Sequence, residues 1–308
     1  MGNNNKKNGE RVKLDEILKL LFSVSKKVLI KMMNSLFDEY YDIELTEITV
    51  ENKEFVSNEF DIIRGDLFLK LSSAEKQCHY HIELQTKNDQ TMIIRMFEYG
   101  FKKAKELEKY ENDDERVYYI PEQLVIFIEE NREIKDELKM RLIFPDGQEI
   151  KYVVPVMKYW EYDDKMLIEK EMYPLLAIQV FKLRHKMESI KRRKGNNDYK
   201  LKEAVLEAKR VAITVAEEAR ELYDGKKING DDLHKILSAV NDLFKYLNRK
   251  DGDNEKLEEE VHNVARTLYD PVLKEKYVEK GRKEGKIEGK IEEARKIILR
   301  LLNKKFTT

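Results

Sequence analysis

The sequence predicts an α/β fold: a core ordered helix, three strands, helix, strand, followed by a mostly helical C-terminal region. Three observations carry that expectation. Between Arg64 and Thr86 two runs alternate polar and apolar residues with the period of two that marks half-buried strands. On either side of them apolar residues recur at three- and four-residue steps, as on amphipathic helices. Beyond Lys191 the composition turns to Ala, Glu, Leu and Lys.

The elements follow in order. Residues 1–13 open with the Asn- and Lys-rich Met1–Asn8 and are expected to be disordered. Leu14–Tyr41 reads as helix through Ile17, Leu20, Leu21, Leu29, Met32, Met33, Leu36 and Phe37, with Ser23–Ser25 as a point of interruption. Ile43–Val50 alternates as a first strand, and Phe55–Ile63 leads into a hairpin, Arg64–Leu71 and Cys78–Thr86, joined by the polar loop Ser72–Gln77. Asn88 and Asp89 are suited to cap a helix from Thr91 to Tyr110. Glu111–Arg116 is a charged break, and the apolar run Gln123–Ile128 (QLVIFI) has the form of a buried strand. Pro145-Asp146-Gly147, between Met140–Phe144 and Glu149–Val154, is hairpin-turn chemistry. Tyr159, Trp160, Tyr162 and Tyr173–Leu183 complete the core, so that 14–190 forms one domain. A helical region, 191–255, is broken at Asp224-Gly225 and Asn229-Gly230.

A helical tail, 256–308, carries Gly281, Gly285 and Gly289 at four-residue spacing, then an apolar stripe of Ala294, Ile297, Ile298, Leu301 and Leu302. Glycines on one helix face permit close backbone approach, and the stripe suits a partner helix in a coiled coil. From Pro271 onward twelve Lys/Arg stand against six Asp/Glu. Self-association into a homo-oligomer is the favoured role; a regulatory protein acting through this tail is another.

The chemistry concentrates in the hairpin. Successive strand side chains point to opposite faces, so Asp66, Phe68 and Lys70 lie together, opposite Leu67, Leu69 and Leu71, and on the second strand His79, His81, Glu83 and Gln85 lie together, opposite Cys78, Tyr80, Ile82 and Leu84. If Leu71 pairs with Cys78, antiparallel counting sets Asp66 opposite Glu83, with Cβ atoms about 4.5–5.5 Å apart. Two carboxylates at that spacing suit one hard divalent cation. A surface hairpin with solvated acids satisfies the same pattern. Asp61 is the alternative to Asp66, but its register puts it off the end of the paired strand. His79 and His81 raise a zinc reading that lacks a third ligand, against which stands an ordinary polar, exposed strand face.

The run RGDLFLKL…YHIELQTKNDQTMIIRMFEYGFK resembles the PD-(D/E)xK phosphodiesterase superfamily, in the variant with Gln at the usual Lys position. Within it, the chain looks like the recombination-promoting nucleases and the related PD-(D/E)xK transposase family. The residues that carry the resemblance are Arg64, Asp66, Glu83, Gln85, Arg95 and Tyr99. It implies a restriction-endonuclease-like αβββαβ core with a mixed sheet, and a Mg²⁺- or Mn²⁺-dependent DNA endonuclease linked to recombination or mobile elements. The ligands would be Asp66, Glu83 and the backbone carbonyl of Leu84. Arg64, Arg95 and Tyr99 would serve the substrate phosphate or support the site. The first helix often adds an acid, for which Asp38 and Glu39 are available. Gln85 can orient a water or a phosphate oxygen but carries no charge and cannot act as a base. Lys87, two residues on, is a migrated cation for that role. The alternative function is a catalytically inactive scaffold that binds nucleic acid or oligomerises while retaining the fold.

Composition bounds the rest. At 308 residues the chain has ample length for a core. Charged residues reach 39%, yet the net charge is −1, so a nucleic-acid surface must come from local segregation of charge. One cysteine, Cys78, excludes an internal disulfide and a Cys-rich zinc site. The lack of a membrane-spanning run or signal-peptide core leads to the expectation of a cytoplasmic protein without a membrane partner.

Overall fold

The computed structural model describes residues 14–57, 63–86, 88–107, 109–112, 115–193, 198–251 and 254–272. The N-terminal segment, Asp61, Lys87, the glycine repeat and the apolar stripe of the tail lie outside the described residues, as does the Arg64 side chain.

Two helices open the chain, α1 (Leu14–Leu21) and α2 (Lys26–Phe37), parted at Ser23–Ser25. Helix α2 stops at Asp38, whose φ of 53° is left-handed, a conformation Asp tolerates better than most side chains. Strands β1 (Glu47–Ser57), β2 (Ile63–Ser72) and β3 (Gln77–Gln85) run antiparallel in succession. Helix α3 (Met92–Glu106) starts after Asp89, whose Oδ1 accepts from Thr91 N and Oγ1; Thr91 holds the N-cap position without a side-chain cap bond. A small separate hairpin, β4 (Lys109–Asn112) and β5 (Glu115–Val117), replaces the end of the expected helix and the charged break. Strand β6 (Glu122–Phe127) then returns parallel to β3, and β7 (Glu137–Ile143) and β8 (Glu149–Lys158) form a hairpin. Gly147 turns that hairpin at φ 86°, where L side chains are strained.

The result is a six-stranded mixed sheet, ordered β1-β2-β3-β6-β8-β7. Helices follow: α4 (Asp164–Glu169), a 3-10 stretch Tyr173–Lys182, α5 (Leu183–Arg192), α6 (Asp198–Asp224) and α7 (Gly230–Asp251), then helical residues 255–272. The sheet's two faces are covered differently. Leu67, Leu69, Leu71, Tyr80, Ile82, Leu84, Leu124 and Ile126 join one large apolar core with α1, α2, α6, α7 and the buried 3-10 stretch. On the other face Met92 and Met96 of α3 pack on Val125, Phe127, Ile134 and Val154. The inner strands are therefore buried on both sides, the usual condition of a strand crossed over by a helix. The helical region is tied to the front of the chain by Asp232, whose carboxylate accepts from Ser25 N (2.6 Å) and Ser25 Oγ (2.7 Å).

Among the described residues no helix is long and apolar enough to cross a membrane.

Candidate functional site

The hairpin register is the one that the loop length implies: Leu71 faces Cys78 and Asp66 faces Glu83. Both carboxylates thus lie on the face that α3 covers. Arg95 and Tyr99, one turn apart on α3, come down on that face together. The Arg95 guanidinium donates to Glu83 Oε1 at 2.9 Å and stands 3.6 Å from the Asp89 carboxylate. Its Cζ is 5.7 Å from the centre of the Tyr99 ring.

His81, Glu83 and Gln85 are not on an exposed strand face. All three are fully buried, because β3 is an inner strand under α3. His81 stacks on Phe68, ring centres 4.2 Å apart, and its Nε2 lies 2.8 Å from Asp66 Oδ1. Its Nδ1 is 2.9 Å from the amide nitrogen of Gln123, the residue directly beside it on β6. Asp66, His81 and Glu83 form the one group of three among the described residues whose donor atoms, within 4.8 Å of one another, suit a metal ion. His79 is elsewhere, bonded to Glu51 at 3.1 Å, so the two histidines do not form a common site.

Neither acid of the first helical layer joins the group. Asp38 caps α2, and Glu39 pairs with Lys76 and accepts from the Tyr80 hydroxyl at 3.3 Å, on the opposite face of the sheet from Glu83. Leu84 has its side chain in the large core, as its place between Glu83 and Gln85 requires. Gln85 is held by its backbone, its carbonyl accepting from Ile128 N at 2.9 Å. Its amide is buried with no hydrogen-bond partner among the described residues.

The two acids differ in electrostatics. Burial pushes the Glu83 carboxyl well above the usual carboxylate range, and the hydrogen bond and negative charge of Asp66 push the same way; Arg95 opposes them. Burial also acts to raise Asp66, but the hydrogen bonds from His81 and Glu83 and the Arg95 charge outweigh it, and its pKa is lowered. A buried like-charged pair sheds charge by holding one proton, and here that proton rests on Glu83. Glu83 Oε2 is buried and accepts from no donor among the described residues. An orphaned carboxylate oxygen beside a second carboxylate is a donor set that fits a hard divalent cation.

Asp66 lines a cleft of about 310 Å³ with Glu51 and Phe68 from the strands and Tyr99, Lys102, Lys103 and Glu106 from α3. Lys103 is engaged by Glu51 and Glu106, whereas Lys102 is exposed. Gln123 and Glu51 are the residues that hairpin reasoning alone does not place here; it sets His81 on the Glu83 face, but as a solvated residue. The signal for Gln123 is a polar residue opening an otherwise apolar strand run.

No family model, curated protein or solved structure matches this chain.

Proposed function

We propose that the chain is a divalent-cation-dependent endonuclease that hydrolyses phosphodiester bonds in DNA, of the PD-(D/E)xK kind its hairpin resembles, serving recombination or mobile elements. The observation that carries this is the opposed pair Asp66 and Glu83, one half-buried at a cleft and the other fully buried, with Glu83 Oε2 accepting from no donor among the described residues. The αβββαβ order of elements around the pair supports the restriction-endonuclease-like core.

Asp66 and Glu83 would hold Mg²⁺ or Mn²⁺, with the Leu84 carbonyl as the expected third oxygen. When bound, such an ion offsets charge on the phosphate and lowers the pKa of a bound water. Arg95, bonded to Glu83 and with 16% of its side chain exposed, balances the negative charge of the acid pair. Tyr99 and Lys102 line the way in and serve the substrate phosphate by hydrogen bond and charge. The unpartnered Gln85 amide orients a water or phosphate oxygen. The resemblance would add Arg64 and Lys87 to the residues that serve the phosphate or support the site. Affinity for duplex DNA should fall steeply with salt, since it comes largely from counterion release.

A second reading, an inactive scaffold that keeps the fold, is favoured by the uncharged Gln85 and by the Arg95–Glu83 ion pair. Supercoiled plasmid separates the two. Nicking with Mg²⁺ or Mn²⁺ that stops in EDTA and in Asp66→Ala and Glu83→Ala, with DNA binding retained, supports the enzyme. Equal nicking by wild type and both variants, or none by any, removes it.

A further inference from the structure

Behind Asp66 runs a line of hydrogen bonds that the reaction itself does not use. A neutral imidazole has one N–H and one lone pair, and its neighbours decide which nitrogen carries which. At His81 the deciding neighbour is Gln123. The Gln123 amide nitrogen stands 2.8 Å from the carbonyl oxygen of Met96, a group that only accepts. Turning the amide over would set its oxygen against that carbonyl. The Tyr152 hydroxyl donates to the Gln123 amide oxygen and holds the other end. The second hydrogen on the Gln123 nitrogen therefore points at His81 Nδ1, 2.9 Å away, which must present its lone pair. The imidazole proton is left on Nε2, facing Asp66 Oδ1 at 2.8 Å. From Tyr152 to Asp66 every donor meets an acceptor.

We infer that His81 is a positioning residue for Asp66, locked by Gln123 and Tyr152 as the neutral Nε2–H tautomer, and is not itself a ligand of the cation. The inference rests on the assignment of Asp66 and Glu83 as cation ligands. Distance alone admits His81 as a third ligand. Ligation through Nε2, however, would send its proton to Nδ1, where it would meet the Gln123 N–H: two donors face to face in a buried core, with the amide unable to turn. Held as it is, His81 occupies one oxygen of Asp66 and leaves the other for the cation. Outer partners of this kind fix ligand orientation and commonly govern metal affinity.

Gly100 belongs to the same arrangement. A glycine inside a helix is destabilising relative to alanine, yet α3 carries one where a Cβ would lie 2.9 Å from the Gln123 amide nitrogen and 3.0 Å from its oxygen. The helix gives up a side chain where the amide needs room. The Phe68 ring, flat on His81 at an interplanar angle of 7°, fixes the imidazole plane from the side.

Two measurements test this on the full chain. In the metal-free, ¹⁵N-labelled wild type, two-bond ¹H–¹⁵N correlation spectra should show His81 protonated on Nε2 alone, and the pattern should survive saturating Mg²⁺. An Nδ1–H tautomer, or loss of the Nε2 proton when Mg²⁺ is added, would overturn the inference. Because this uses the wild type, it stands even if a variant fails to fold. In Mn²⁺ titration calorimetry, His81→Leu should weaken binding roughly 10- to 100-fold. His81→Gln, whose amide N–H reaches the same carboxylate, should recover most of the loss. Wild-type affinity in His81→Leu, or an equal loss in both variants, would overturn it. A wild type that binds neither ion overturns the cation assignment itself, and with it the role given to His81, whereas the metal-free spectrum still decides the tautomer alone.

Discussion

Glu83→Gln offers a direct measure of the proton held by the acid pair. Gln keeps the shape of Glu83 and still accepts from Arg95, but it cannot take up a proton. The Glu83 side chain is fully buried, and burial followed by the Asp66 hydrogen bond and charge raises its pKa above the ordinary 4.5. A raised folded-state value means that the folded chain keeps a proton that the unfolded chain releases. Its contribution to stability is complete below the unfolded pKa and is lost as pH rises toward the folded value. For one proton the slope is at most about 1.4 kcal/mol per pH unit. Between pH 5.5 and 7.5 the metal-free wild type should lose up to about 3 kcal/mol that Glu83→Gln does not lose. Asp66 is shifted down from 3.8, so its own window lies below that range and does not interfere. Glu218, raised to about 8 by burial and then by Asp164, adds the same slope to both proteins and cancels in the difference. The assay is urea unfolding in EDTA at three pH values, comparing midpoints at constant m. Saturating Mn²⁺ should flatten the wild-type slope, because the ion displaces the proton. Parallel pH dependence in the two proteins would refute the assignment of a shared proton.

Other outcomes follow from the same geometry. Gly100→Ala, which by helix propensity alone would stabilise by about 1 kcal/mol, should instead destabilise by about 1–3 kcal/mol through its clash with Gln123; in a Gln123→Ala background the sign should revert. Arg184 lies 2.9 Å from Glu129 and 3.0 Å from Glu188, and only 1% of its side chain is exposed. Arg184→Leu should lower stability by about 3–5 kcal/mol by removing the guanidinium that faces buried Glu129 and half-buried Glu188, and Glu129→Leu added to it should restore part of the loss in urea midpoints. A chain ending at Val272 keeps the packing of that residue over Gly230 and, if the tail drives self-association, should scatter light as a smaller species than the full chain; equal mass per subunit assembly would refute the role given to the tail.

Much of the fold is legible from spacing because spacing reports burial. The hairpin alternates cleanly, which marks its strands, but its register rests on the assumed pairing of Leu71 with Cys78, and a slip of one residue would have parted Asp66 from Glu83. The interruption at Ser23–Ser25 and the break between α6 and α7 are written in residues that favour caps and turns. The misplacements share a cause. Lys109–Asn112 and Glu115–Val117 are mostly charged or polar and pair only with each other, so no apolar alternation marks them. Strand β1 begins later than Ile43 and runs to Ser57 through Glu51, Asn52 and Lys53, with a register shift between Val50 and Asn52 that blurs its period.

The site is legible in position but not in depth. Alternation tells which side chains share a face; it does not tell whether that face meets water. His81, Glu83 and Gln85 have the composition of a solvated stripe, and the polarity itself invites that placement. Two features of the sequence argue otherwise. The next sheet strand, Gln123–Ile128, is apolar on both faces, which is the mark of a strand covered on both sides. The helix between them, from Thr91, presents Met92 and Met96 at a spacing that seeks a sheet. A strand joined to such a neighbour through such a helix must itself be covered on both sides. Polar groups there must find partners or shed charge, and Asp66, Arg95, Gln123 and the displaced proton supply those partners. Among the described residues of the site the Gln85 amide, Glu83 Oε2 and Arg95 Nη1 go without a hydrogen-bond partner, and under the proposed function these are the atoms left to meet a cation, a water or a phosphate.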